Sequence, residues 1–241
     1  MIPLKDDIPS RYPPFMTISL MVFTSLIFMF QKSLPPDQMR KAFYLFGLIP
    51  LRVFSPASLP EALTKTGRLL PFVSSIFLHG NWTHLIGNMW ALWLFGDNIE
   101  DRIGSFRFLL FYLGTGVTAG VVHVLSNPAG RVPAIGASGA IAGVMGAYFL
   151  LYPGARVITL IPIFFIPYFL RIPAFLYLGG WFLTQLWGGA ISFLGPGQEG
   201  GIAWWAHVGG FLTGLFAVRF FLLNARNRCY RCWYEDEYRP W

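Results

Sequence analysis

The sequence predicts an all-α polytopic membrane protein with six transmembrane helices and both termini on the cytoplasmic side. Three observations carry this expectation. Charge is scarce: of 241 residues, 18 are Lys or Arg and 11 are Asp or Glu, 12% in all, about half of what a soluble domain carries. The charges leave long gaps at 12–31, 69–96, 108–130, 132–155, 172–198 and 200–218, each close to or above the roughly 20 residues that a helix needs to cross hydrocarbon. The basic residues then sort by side, as described below. An apolar content of 55% excludes a disordered tail and argues against a soluble enzyme. The net charge of +7 fits loops lying beside anionic lipid. No basic run is interleaved with stacking aromatics, so nucleic acid is not an expected partner.

The spans follow at 13–31, 82–96, 106–126, 137–153, 172–193 and 204–223. Runs such as Ile18-Ser19-Leu20-Met21-Val22-Phe23 and Ala91-Leu92-Trp93-Leu94-Phe95 do not alternate as the strands of a membrane β-barrel would. Residues 1–12 precede the first span, which has no small-residue cleavage site after it and reads as a retained anchor. With the N-terminus inside, eleven basic residues fall on the inner side, among them Lys5, Arg11, Arg102, Arg107, Arg156, Arg171 and Arg219, and seven on the outer side. Six of those seven lie in the long first loop, 32–81, which weighs little in such a count. Within that loop, 37–53 reads as a short amphipathic helix in the interface. Segment 157–170 is charge-free but only 14 residues long. It carries Pro162 and Pro167, and reads as an interfacial or re-entrant piece on the inner side. Residues 224–241 form a basic cytoplasmic tail with the only two cysteines, Cys229 and Cys232. They make half a zinc site without a second pair, and the alternative for them is juxtamembrane palmitoylation.

Polar side chains inside spans are costly and call for a reason. They are His84 and Asn88 in the second span, His123 in the third, Ser138 in the fourth, Gln185 in the fifth and His207 in the sixth. Even-numbered spans run from the outer face inward, so His84, Asn88, Ser138 and His207 share one depth below that face. His84 and Asn88, four apart, lie on one side of their helix. Gly139 with Gly143, and Gly210 with Gly214, are small-xxx-small pairs that let two helix backbones approach. His207, Gly210 and Gly214 share a face, which brings the imidazole toward Ser138. A serine hydrogen-bonded to a histidine can be deprotonated as it attacks, and the histidine can then protonate the leaving amine. Backbone N–H groups at Gly136 and Ala137, at a helix start, are expected to stabilise the oxyanion together with the His84 and Asn88 side chains. His123 finds no partner at its depth and reads as structural. His79 reads as a loop anchor, and Glu100 and Arg102 as helix-end anchors. No H-E-x-x-H and no acidic residue within a span supports a metal site, so no cofactor or metal is expected.

At these residues the chain resembles the rhomboid family of intramembrane serine proteases. Gly136-Ala137-Ser138-Gly139 with Gly143, Ala206-His207 with Gly210 and Gly214, and His79-Gly80-Asn81-Trp82-Thr83-His84-Leu85-Ile86-Gly87-Asn88 occur in the family's order. Gly96-Asp97-Asn98-Ile99-Glu100-Asp101-Arg102-Ile103-Gly104 is similar to its second-span exit. The resemblance implies a six-helix rhomboid-like bundle with the active site toward the outer face. The acidic Asp6 and Asp7 are unlike a transit peptide and favour a bacterial-type plasma membrane over an organelle. Ser138 would be the nucleophile, His207 the base, and His84 with Asn88 the oxyanion side chains. Trp181, Phe182 and Gln185 would flank lateral access for single-pass membrane-protein substrates. Two places depart from the family's pattern. Ala142 stands where members often carry an aromatic on the catalytic histidine, so an aromatic from another span is expected to hold that ring. Gly67-Arg68 is the nearest approach to the first loop's Trp-Arg pair. The rival readings are an inactive rhomboid-like protein that retains membrane clients, and a transporter or channel. The absence of a long-period repeat counts against the inverted-repeat transporters.

Overall fold

The computed structural model describes residues 2–58, 61, 67–163, 166–192 and 202–222. The cysteine-bearing tail at 224–241 lies outside the described residues. Six long helices occupy the expected spans: α1 (Phe15–Ser33), α5 (Trp82–Ile103), α6 (Ser105–Ser126), α7 (Ser138–Leu151), α8 (Ala174–Ser192) and α9 (Trp204–Leu222). Three short helices, α2 (Pro36–Phe46), α3 (Pro50–Phe54) and α4 (Leu70–Ser74), lie in the first loop. Each of these three has proline in its first turn, where the missing N–H costs nothing. By length and apolarity α1, α6 and α9 qualify as membrane-crossing on their own, and α7 is a shorter apolar helix. The outer faces are apolar and uncovered, as at Leu26, Trp187 and Phe220, which suits lipid. The chain is thus a helical membrane protein.

The fold class needs one correction, because the protein is not all-α. Ile2–Asp6 (β1), Arg156–Ile163 (β2) and Ile166–Pro173 (β3) form an antiparallel sheet in the order β1-β2-β3. In register, Ile2 faces Leu160, Arg156 faces Pro173 and Pro162 faces Pro167. The segment read as one interfacial piece is therefore a hairpin. Its length is that of two short strands, and Val157 and Thr159 are fully buried with exposed or half-buried neighbours between them. That is a period of two in β-branched residues. The two prolines lie opposite each other near the hairpin tip.

Polar contacts tie β1 and the residues after it to α5, α7 and β2, and Ile2 and Pro3 of β1 reach the cavity described below. Trp90 Nε1 donates to Pro3 O at 2.6 Å, Ser10 Oγ to Asp97 at 2.6 Å, the Arg156 N–H to Asp7 at 2.7 Å, and the Tyr148 hydroxyl to Asp6. Burial is the main reason that Asp6 is pushed up to about 7. Glu100, expected to anchor its own helix end, caps a different one. Its carboxylate accepts the Met16 and Thr17 N–H groups at 2.8 and 2.7 Å and the Ser105 hydroxyl at 2.6 Å. A carboxylate there complements the positive end of α1. Arg107 donates to Phe221 O at 3.3 Å, which brings the start of α6 to the end of α9.

The first loop also differs from expectation. The amphipathic stretch 37–53 is two helices broken at Gly47, and Arg52 is 1% exposed, not at a lipid interface. Its guanidinium donates to Leu45 O at 2.9 Å and to Tyr44 O, capping the otherwise unsatisfied end of α2. The loop is held to the α6–α7 connection by paired bonds between Leu48 and Ala134 at 3.0 and 2.8 Å, and by Leu51 N–H to Gly130 O at 3.0 Å. This backbone pairing anchors the loop without a Trp-Arg pair.

Candidate active site

The centre of the bundle is a backbone-to-backbone contact between α7 and α9. A Cβ on Gly210 would fall on Gly139 O, and one on Gly214 would fall on Gly143 O. Only glycine permits this approach, and it sets the distance between the residues just above it. Ser138 opens α7 and His207 lies in the first turn of α9. Ser138 Oγ is 2.8 Å from His207 Nε2, hydrogen-bond length for a serine and its base.

Both line a cavity of about 1170 Å³ together with His84, Asn88, His123, Tyr177 and Trp181. The four residues expected at one depth thus meet in one cavity. His123 belongs to it too. His123 sits near the C-terminal end of an odd-numbered span, which reaches the same face as the N-terminal ends of the even ones, so its depth matches theirs despite its late position in its own helix.

Asn81 caps α5 by accepting the His84 N–H at 2.8 Å, which fixes the first turn that carries His84 and leads to Asn88. Asn88 is 8% exposed, and its Nδ2 lies 2.8 Å from His79 Nε2. An amide nitrogen can only donate, so His79 Nε2 accepts and its Nδ1 carries the hydrogen, which points at Phe77 O, 3.4 Å away. Burial, then the neighbouring His84, bring His79 down to about 4, so it stays neutral and remains an acceptor. The backbone of His79 is tied to the Gln31 side chain by two bonds of 3.3 Å. His79 therefore anchors the loop as expected, and it also holds Asn88.

Gly136 has φ +125°, and a Cβ there would meet His84 Cε1 at 2.6 Å and Nε2 at 2.7 Å. The residue must be glycine on both counts. Its expected role as a backbone donor does not hold, because the Gly136 N–H is given to Ser75 O at 2.9 Å. Gly136 makes room for His84, while the N–H groups of Ala137 and Ser138 precede the first intrahelical bond of α7, Ile141 N–H to Ala137 O at 3.0 Å.

The aromatic that α7 lacks at the fully buried Ala142 comes from α8. The Trp181 ring lies 5.9 Å from the His207 ring, tilted by 35°. Phe211 packs against Trp181 at 6.2 Å and is stacked on Phe182 at 4.5 Å. Gln185 is 5% exposed, and its Oε1 is 2.8 Å from His207 Nδ1. Of the three residues expected at a lateral opening, Gln185 is turned onto the histidine instead, and Trp181 faces both the cavity and the histidine.

A family model described as the rhomboid domain matches residues 66–224. Over 73 residues the chain is 44% identical to rhomboid-like protein 11, chloroplastic, of Arabidopsis thaliana, covering 30% of this chain and 26% of that protein. It is 38% identical over 99 residues to presenilin-associated rhomboid-like protein A, mitochondrial, of Danio rerio, covering 40% and 26%. It is 41% identical over 92 residues to the rhomboid protease GluP of Bacillus subtilis (strain 168), covering 38% and 17%. The matches thus span about a quarter or less of these relatives' own length.

Proposed function

The chain belongs to the rhomboid family, and from that premise we propose that it is an intramembrane serine endopeptidase cutting transmembrane proteins with a Ser138–His207 dyad. The observation that carries this is the 2.8 Å contact between Ser138 Oγ and His207 Nε2 within a cavity that also holds Asn88 and His84. The Ser138 O–H donates to Nε2, so the lone pair of the base is aimed at the proton to be moved. As Oγ attacks the scissile carbonyl carbon, the proton passes to Nε2, and the C–N bond then breaks as His207 returns the proton to the leaving amine. Water hydrolyses the acyl-enzyme by the same steps in reverse roles.

The oxyanion is stabilised by the Ala137 and Ser138 N–H groups and by the second Nδ2 hydrogen of Asn88, with His84 beside them. Donors placed in advance where charge develops are the largest catalytic contribution in such sites. All six long helices cross the bilayer in this reading, with both ends of the chain inside and the cavity toward the outer face. Substrates reach it laterally past α8, at Trp181 and Phe182. They are transmembrane segments whose helix unwinds readily, since a backbone carbonyl must leave its helical bond before it can be attacked.

One relative is from Bacillus subtilis, and two carry chloroplastic or mitochondrial in their names. The organellar names extend the reading beyond the bacterial-type plasma membrane suggested by the acidic Asp6 and Asp7. We therefore propose a bacterial membrane or an organellar one.

The test is cleavage of a single-pass transmembrane substrate by purified protein, together with labelling by a serine-directed fluorophosphonate. Ser138→Ala and His207→Ala are both expected to abolish turnover, and Ser138→Ala to abolish labelling. Wild-type turnover in either variant overturns the dyad. A client-binding or transport role is favoured instead if the folded wild type neither cleaves nor labels.

A further inference from the structure

Gln185 does more than fill space beside the base. Its Nε2 lies 3.1 Å from Trp181 O and 2.9 Å from Thr184 Oγ1. A backbone carbonyl only accepts, so the amide nitrogen must face Trp181 and the amide oxygen must face His207. That oxygen is 2.8 Å from Nδ1 and can only accept, so Nδ1 carries the ring hydrogen. A neutral imidazole then keeps its single lone pair on Nε2, 2.8 Å from Ser138 Oγ. A carbonyl on α8 thereby fixes, through one amide, which nitrogen of a histidine on α9 is basic.

We propose that Gln185 is the positioning residue of the dyad, an uncharged third member that sets the tautomer and ring orientation of His207. This rests on the protease reading above. An acidic residue at this place would stabilise the imidazolium by charge. An amide orients the ring and accepts from Nδ1–H in both protonation states, without burying a carboxylate within a span. The Trp181 ring packs against the same imidazole, so positions 181 and 185, one turn apart on α8, together determine its orientation. The other titratable groups lining the cavity are His84 on α5, His123 on α6 and Tyr177 on α8. They are unchanged in the variants below, so differences in pH dependence report on position 185.

The experiment measures the rate of fluorophosphonate labelling from pH 5 to 9 for the full chain in detergent. Gln185→Met keeps the length of the side chain and removes the acceptor. Its labelling rate is expected to fall about 10- to 100-fold at every pH, a part of the roughly 10²- to 10⁴-fold that a positioned base contributes. Gln185→Glu restores an acceptor of the same shape. It is expected to recover most of the rate above pH 8 and to move the acidic limb up by about one pH unit, because a carboxylate on Nδ1–H favours the protonated ring.

Labelling of Gln185→Met at the wild-type rate, or an acidic limb unmoved in Gln185→Glu, overturns the proposal. A purely structural role predicts that both variants lose thermal stability and that the limb stays in place. The two readings fail separately. If Ser138→Ala still labels, the protease reading falls. If Ser138→Ala is silent and Gln185→Met labels normally, only the role of Gln185 falls.

Discussion

The Trp181 ring lies against the His207 imidazole, with centroids 5.9 Å apart and planes tilted by 35°. The fully buried position 142 on α7 holds only alanine, so the aromatic support of this imidazole comes from α8. An aromatic pair contributes about 0.5–1.5 kcal/mol beyond its buried area, or roughly 2- to 13-fold in rate when the ring is held for catalysis. Trp181→Ala is therefore expected to slow fluorophosphonate labelling by about that factor, while Trp181→Phe stays close to wild type. Equal losses in both variants would argue against the ring contact.

The glycine contact between α7 and α9 predicts a strong effect from one methyl group. Gly214→Ala places Cβ on Gly143 O, so the helices must separate. Overpacking of a tight core typically costs about 1–3 kcal/mol. A lowered thermal midpoint and slowed labelling are expected together. Gly210→Ala, only three residues from His207, should lose more activity for a similar loss of stability. An active, undisturbed Gly214→Ala would mean that the backbones do not meet as described.

Asn88 and His79 should behave as one unit. Asn88→Ala is expected to lower kcat by about 10²- to 10³-fold, the usual cost of one oxyanion donor. His79→Ala leaves the amide without its 2.8 Å partner and should lose a smaller part of the same effect. The double variant should be no slower than Asn88→Ala alone. Multiplying effects would show instead that His79 acts independently of Asn88.

Docking of β1 should depend on pH. Asp6 is raised from 3.8 to about 7, mainly by burial, with the nearby Asp97 and Asp7 carboxylates adding to the shift and the Tyr148 hydrogen bond offsetting part of it. The docked strand therefore holds a proton that a released strand gives up near pH 4. Docking is fully favoured below that pH, weakens as pH rises toward 7, and is weakest above it. Hydrogen exchange of the β1 amides, corrected for intrinsic rates, should show more protection at pH 5 than at pH 8. Asp6→Asn should flatten that difference. Protection that increases with pH would contradict this sign.

Much of the site was legible in the sequence because its geometry follows from helix periodicity. His207, Gly210 and Gly214 share one face, and α9 meets α7 through that face. Ser138 precedes the glycines that receive it. What stayed hidden depended on pairings that periodicity does not encode. The hairpin at 156–173 is set by cross-strand partners and by Ile2–Asp6, more than a hundred residues away. A helix start has spare N–H groups, which makes Gly136 look like a donor in the sequence, but tertiary structure gives that group to Ser75 O. Gln185 carried a readable signal, a lone amide in an apolar span four residues after a tryptophan, yet only the fold reveals which histidine it addresses. The amphipathic pattern of 37–53 points to an interface, whereas the orphan carbonyls of α2 draw Arg52 inward.

One turn of α8, from Trp181 to Gln185, carries both the ring and the amide that prepare His207. Any outward displacement of α8 would therefore withdraw both supports from the imidazole at once, because the indole and the amide ride on the same turn.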